Sequence, residues 1–268
     1  NPLDFSCFPG ENYLSKERIL PIKTSSTCFY KQCTFCTHFA KVPYKEYELQ
    51  WIEITLKKNH AKYAFLIDDM LTKERLLRFA EICKALEIEW ACQLRPTSDL
   101  FGISKELYEG GLRSVSWGVE SGSQRILDLM KKGTDIQKIP LILQESHEAG
   151  IQNILFILFA FPTETKEEYM ETILFLEKNQ ENIDLICTSI FGLQRGAKAF
   201  EFPEEYGILE IKENTRTILE GTVSYVLKQG LGNEEARILQ KKVQHRMDTI
   251  NKIPKIFKYS REQVLLYK

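Results

Sequence analysis

The stretch Asn153-Ile-Leu-Phe-Ile-Leu-Phe159 is apolar at every position after its first residue. A strand covered on both faces reads as such a continuous run, so Gln152–Phe159 is predicted to be a buried strand of a parallel sheet. Working outward, further strand-like runs lie at Ile19–Thr24, Tyr63–Ile67, Glu89–Leu94, Arg113–Gly118 and Asp184–Phe191. Helical stretches fall between them, at Tyr47–Asn59, Lys73–Leu86, Lys105–Glu109, Ser123–Met130 with Ile136–Ala149, and Lys166–Asn179. Six β units joined by helices predict an α/β fold with a parallel sheet and right-handed crossovers.

Local signals support these boundaries. Thr72 precedes a helical run, with Arg75 three residues on, which reads as a cap without the full box. Thr163 and Thr165 precede Glu167 and Glu168, as at a helix N-terminus. Gly150 stands where a helix-ending glycine belongs. Past Phe200 the pattern changes. Pro203 and Gly207 interrupt it, Thr215 to Asn251 reads as mostly helical, and Tyr259 to Lys268 reads as a short tail. Residues 1–18 form an arm without clear period. The expected organisation is therefore an arm at 1–18, an α/β body at 19–207 and a helical region at 208–268.

The 268 residues suit one large α/β domain or two small ones. At 43% hydrophobic and 27% charged, the composition is that of a globular enzyme. The 36 basic and 37 acidic side chains leave a net charge of -1, which gives no global attraction to nucleic acid or an anionic membrane. The longest apolar run, Ile154 to Pro162, falls far short of the ~20 residues of a membrane helix. Asn1-Pro-Leu-Asp4 has neither a basic nor an apolar leader region and no starting Met, so a cytoplasmic fragment of a longer protein is expected.

Three of the seven cysteines crowd into one segment, Lys23-Thr-Ser-Ser-Thr-Cys28-Phe-Tyr-Lys-Gln-Cys33-Thr-Phe-Cys36-Thr-His38. Cys7, Cys83, Cys92 and Cys187 are scattered. A disulfide-stapled domain would be shorter and denser in Cys, so metal-bound thiolates in a reducing setting fit better. Three thiolates can bind three irons of a cubane cluster, leaving the fourth open to a cofactor. The same spacing allows a Cys₃His zinc site with His38 as fourth ligand. The loop's place after the first predicted strand, where a β/α barrel builds its active site, favours the cluster.

The segment resembles the cysteine loop of radical S-adenosylmethionine (radical SAM) enzymes, which commonly reads Cys-x₃-Cys-x-aromatic-Cys. Here the first gap has four residues, Phe29 to Gln32. That variant resembles radical SAM proteins that act on ribosomal peptides or carry a cobalamin domain. Phe35 matches the aromatic position, which the resemblance places near the adenine. Further matches follow in order: Phe65-Leu-Ile-Asp68-Asp69, Gln93-Leu-Arg95, Gly118-Val-Glu120-Ser-Gly122, Lys132-Gly133, Phe161-Pro-Thr-Glu-Thr165 and Phe191-Gly-Leu-Gln-Arg-Gly196. Phe161 stands next to where the family commonly has Gly.

The resemblance implies a partial (β/α)6 TIM-like barrel with a mostly helical C-terminal extension, open on one side. It implies Cys28, Cys33 and Cys36 as ligands of a 4Fe–4S cluster. It implies Phe35, Asp68, Gln93, Arg95, Glu120 and Phe191 as contacts to S-adenosylmethionine (SAM). Arg95 would pair with the SAM carboxylate; Asp68, Asp69 or Glu120 would accept from its ammonium or ribose. Adjacent acids on a strand point to opposite faces, so Asp68 and Asp69 cannot both face one ligand while the strand continues. The implied chemistry is one-electron cleavage of SAM to a 5′-deoxyadenosyl radical that takes hydrogen from a substrate, with an external electron donor.

Methylation of a small molecule or peptide is the favoured reaction. Residues 2–21 are similar to the connector after a cobalamin-binding domain, so either cobalamin reaches the site from a domain absent from this chain or the chain works without cobalamin. The alternatives are a radical SAM epimerase or cross-linking enzyme, in which Cys92 or Cys187 would return hydrogen if it faced the barrel interior, and a non-redox zinc module. A tRNA methylthiotransferase is disfavoured, because it would want a further cluster domain and a basic RNA-binding domain.

Overall fold

The computed structural model describes residues 2–8, 15, 17–37, 42–212 and 222–267. Six strands form one sheet: β1 (Ile19–Ile22), β2 (Tyr63–Leu66), β3 (Glu89–Leu94), β4 (Leu112–Glu120), β5 (Gln152–Phe159) and β6 (Leu185–Ile190). They pair in chain order and all in parallel, with Leu20 beside Ala64 and Leu155 beside Ile186. The connections carry α1 (Leu49–Lys58), α2 (Lys73–Ala85), α3 (Ser104–Glu109), α4 (Gln124–Leu129), α5 (Ile139–Glu148) and α6 (Lys166–Lys178). This is the expected α/β partial barrel.

Side-chain parity in β5 shows why its sequence is continuously apolar. Leu155, Ile157 and Phe159 point to the helix side and join Tyr169, Ile173 and Leu176 of α6 in the main core. Phe159 stacks on Tyr169 with ring centroids 4.0 Å apart. The alternate residues face the concave side, where Ile154 packs with Leu185, Ile253 and Val264. Phe156 and Leu158 line a cavity there. Burying each such side chain contributes roughly 1.5–3 kcal/mol, so both faces stabilise the strand.

The capping signals act as the sequence implies. Thr72 Oγ1 accepts from Arg75 N at 3.2 Å. Thr165 and Glu168 form a reciprocal box at the start of α6. Gly150 ends α5 with φ +90°.

β1 and β6 are the sheet's edges, so the barrel is open between them. An open edge exposes unpaired backbone groups. At β6 the segment after residue 250 covers them: Lys252 N and Ile253 N donate to Asp184 O at 2.9 and 3.1 Å, and Ile186 N donates to Asn251 Oδ1 at 2.7 Å. A 3₁₀ turn at Lys255–Lys258 follows, then one at Arg261–Leu266, which packs on β3 and β4.

Beyond β6, a second sheet has the order β7 (Leu193–Gln194), β9 (Thr222–Leu227), β8 (Ile208–Lys212), all antiparallel. The short helix α7 (Lys198–Glu201) lies between β7 and β8. The region expected to be helical from residue 208 is corrected here: it opens with the strands β8 and β9. Thr222-Val-Ser-Tyr-Val-Leu227, read as part of a helical stretch from Thr215, is a strand. Its β-branched and aromatic residues suit a pleated sheet, and two flanking strands supply its hydrogen bonds. The rest of that stretch up to Gly221 lies outside the described residues. The helical extension begins at α8 (Asn233–Asp248).

Candidate active site

The cysteine segment leaves β1 at the C-terminal end of the sheet and is tied down at three points. Asp68, just past β2, takes its first turn: one carboxylate oxygen accepts from Ser25 N and Ser25 Oγ at 2.6 Å each, and the other from Thr24 N at 2.9 Å. Arg75 of α2 donates through Nη2 to Thr24 O at 2.8 Å. The far end rests on the residues closing α4: Thr34 N donates to Met130 O at 2.9 Å, and Tyr30 Oη to Lys131 O at 2.8 Å. Lys31, within the four-residue gap, takes φ +53°, a left-handed turn that accommodates the longer loop.

Cys28, Cys33 and Cys36 are half-buried, form no disulfide and line one cavity of about 530 Å³. Phe35, Gln93, Arg95 and Glu120 line the same space. The chain therefore brings seven of the nine residues singled out from the sequence to one cavity with usable side chains.

The other two are placed differently. Asp68 reaches the cavity wall but turns its carboxylate into the loop; burial pushes that carboxyl up, against the hydrogen bonds from Ser25 and Thr24. Asp69 lines the cavity as well; both acids lie past the end of β2, where strand alternation no longer separates them. The Phe191 ring is 2% exposed and packs edge-on to Phe161 and Tyr225, at 5.1 and 5.9 Å. Phe161 is itself fully buried in that second cluster, which explains a large side chain near a usual glycine position.

Lys132 was quoted in the sequence but given no role, and the structure puts it at the centre. Its ammonium donates to Glu120 Oε1 at 2.7 Å and lies 5.7 Å from the Phe35 ring centroid. Burial works against its charge, yet Glu120 and Cys33 outweigh that and hold Lys132 above the ordinary lysine range. Burial pushes the Cys33 thiol up, opposed by Lys132 and Arg95. Tyr30 was also missed. The Arg95 guanidinium stacks 3.5 Å over its ring and donates through Nη1 to Lys132 O at 3.1 Å. Gly118 makes room for the ion pair, since a Cβ there would stand 2.8 Å from Lys132 Nζ.

A second cavity of about 610 Å³ adjoins the first, and Phe35, Gln93, Glu120 and Arg261 line both. Cys187 lines it, whereas Cys92 is fully buried in the helix-side core. Of the two thiols considered as hydrogen donors, Cys187 faces the barrel interior. Arg261 carries no sequence signal, because it sits 225 residues beyond Cys36 in an unpatterned tail.

The donor set suits a cubane. Each of three irons takes one thiolate, so the sulfurs surround a space rather than converge on one point. Among the described residues no three His, Cys, Asp or Glu side chains converge on a single-ion position. His38, the alternative zinc ligand, lies outside the described residues.

Comparison with known proteins agrees with this geometry. The family profile of the radical SAM superfamily matches residues 22–176. An uncharacterized methyltransferase of Pyrococcus horikoshii is 28% identical over 168 residues, covering 59% of this chain and 36% of its own length. The tRNA-2-methylthio-N(6)-dimethylallyladenosine synthase of Thermotoga petrophila is 32% identical over 160 residues, covering 56% and 34%. The chain thus spans about a third of these relatives. Among solved structures, the cobalamin-dependent S-adenosylmethionine radical enzyme OxsB superposes with a TM-score of 0.67 at 15% identity, over 84% of this chain and 41% of its own. The radical S-adenosylmethionine methyltransferase TsrM of Kitasatospora setae gives 0.61 at 18% identity, over 75% and 43%. These two share the fold. Among the described residues no helix is long and apolar enough to cross a membrane.

Proposed function

Because the chain belongs to the radical SAM superfamily, an enzyme family with a 4Fe–4S cluster and SAM, we propose that Cys28, Cys33 and Cys36 hold the cluster and that the cavity beside them binds SAM. The observation that carries this reading is the shared cavity itself: three half-buried thiols at the mouth of the sheet, opposite Gln93, Arg95 and Glu120. When bound, the cluster supplies the electron that cleaves the sulfonium of SAM and releases a hydrogen-abstracting 5′-deoxyadenosyl radical.

The protein's own residues hold and orient. Asp68 fixes the turn that launches the cysteine loop. Lys132 places a positive charge beside the thiolates and keeps Glu120 fixed. Arg95, braced on Tyr30, offers guanidinium donors to a carboxylate. Asp69 and Glu120 offer acceptors to an ammonium or to ribose hydroxyls. Phe35 presents a ring to the adenine, and Phe191 lines the adjoining cavity.

Methyl transfer is the reaction we favour, because one curated relative is named an uncharacterized methyltransferase and another a putative methylthiotransferase. Cobalamin would serve from a domain outside these residues, as the cobalamin bound in the OxsB and TsrM structures suggests. The substrate is a small molecule or a peptide entering by the open side. Epimerisation is the second reading, favoured by the placement of Cys187 on the inner wall.

Anaerobic reconstitution with iron and sulfide, then SAM and a strong reductant, tests the assignment. 5′-Deoxyadenosine should form and should vanish in a Cys28/Cys33/Cys36→Ala variant. Stoichiometric zinc with no cluster would overturn it.

A further inference from the structure

The second cavity has walls unlike the first. Its inner side is the concave face of the sheet, with Phe156 and Leu158 from β5 and Ser189 from β6. Its outer side is the segment that covers the β6 edge, which contributes Lys258 and Arg261. That segment is held rigidly. Asp184 O accepts two of its amides, Ile253 is 4% exposed, and Val264 and Leu265 are 1% and 4% exposed. The backbone on either side of the two cations is therefore anchored.

Among the described residues no ion pair engages Lys258 or Arg261. The Arg261 guanidinium instead lies 4.6 Å over the Phe156 ring. Asp248, an acid that acts on Lys258, is paired with Lys255. Glu120, the acid that shares the cavity wall, is paired with Lys132. Burial holds Lys258 below the ordinary lysine range, and both cations act on the Cys187 thiol across the cavity. Two half-buried positive groups facing one space lose hydration and repel each other, and an anion placed between them offsets both costs.

We propose that the second cavity receives the substrate's oxyanionic group, a carboxylate or a phosphate, between Arg261 and Lys258. This deepens the assignment above and rests on it for the reaction, because Arg261 and Phe35 line both cavities and so bring such a substrate next to SAM. The apolar floor of Phe156 and Leu158 would take the carbon skeleton. An uncharged substrate would leave both cations unpaired and is selected against.

Calorimetric titration of the full chain, without cluster or SAM, with sodium succinate, inorganic phosphate and neutral succinamide tests the site. At least one anion should bind, and succinamide should not. R261Q and K258Q should each weaken that anion about tenfold or more. R261K should retain part of the affinity, and K242Q, an exposed lysine on α8, should change nothing. Preference for succinate marks a carboxylate substrate, and preference for phosphate a phosphate ester. Should R261Q not fold, K258Q and R261K carry the test. Absence of anion binding, or equal affinity in wild type, K258Q and R261K, overturns the proposal. 5′-Deoxyadenosine formation by the reconstituted protein is scored separately, so failure of the enzyme assignment leaves a distinct signature.

Discussion

Lys132 and Glu120 form an ion pair 2.7 Å long on the wall of the cysteine cavity, with side chains only 9% and 13% exposed. A pair this buried is costly to break, because the surviving partner keeps its charge without compensation. K132M should therefore destabilise the fold by about 2 kcal/mol, as should E120Q. The double variant should recover about 1 kcal/mol of the summed loss. Urea unfolding of the four proteins gives the coupling. Strict additivity would mean that the pair contributes nothing.

Gly118 guards the same pair. A Cβ at this position would meet Lys132 Nζ at 2.8 Å and Glu120 Oε1 at 3.0 Å, both ends of flexible side chains. G118A should thus displace the pair while costing only about 1 kcal/mol of stability. SAM affinity should fall several-fold more than stability suggests. G122A is the contrast, since its Cβ would meet the Thr172 backbone at 2.6 Å and should destabilise without a SAM-specific effect. Equal SAM dissociation constants for G118A and wild type would remove Glu120 and Lys132 from the binding site.

Asp68 and Asp69 should separate experimentally. Asp68 accepts four hydrogen bonds from Ser25 and the Thr24 amide. D68N would turn a donor toward those donors, at a cost of about 2 kcal/mol, and loosen the cysteine loop. Iron and sulfide bound per chain after reconstitution should fall in D68N and stay normal in D69N. D69N should instead weaken SAM. Full cluster loading in D68N would show that the loop holds its shape without this anchor.

The pattern of legibility has a physical origin. The order of six strands and five helical connections was readable because each strand is buried on both faces and each helix on one, and burial writes itself into periodicity. Seven of the nine candidate residues share one cavity, and they were legible as candidates because they sit on short motifs at strand ends. Lys132 and Tyr30 were passed over because their roles depend on contacts across 101 residues, as in the Tyr30–Lys131 bond. Arg261 gave no signal, since a tail placed by packing against β3 and β4 needs no period of its own. Thr222–Leu227 was misread because its two sheet partners lie before it in the chain and leave no mark on its local sequence.

Glu164 makes stability depend on pH. Its side chain is fully buried, with one oxygen accepting from Ala160 N at 2.5 Å and Oε1 lacking a hydrogen-bond partner. Burial pushes its carboxyl up to about 8, helped by Glu168 and opposed by the Ala160 amide and Arg125. In the unfolded chain the same group titrates near 4.5. Between these values the folded protein holds one proton more than the unfolded one. Stability is then greatest below the unfolded value and falls as pH rises toward 8, by on the order of 5 kcal/mol. E164Q keeps an acceptor for Ala160 but cannot ionise, so its unfolding free energy should stay flatter across pH 5–8. The difference between wild type and E164Q, measured by urea unfolding at several pH values, should shift steadily in favour of the variant as pH rises. Parallel curves would mean that Glu164 is already ionised in the native state, and that its unpartnered oxygen is reached by solvent.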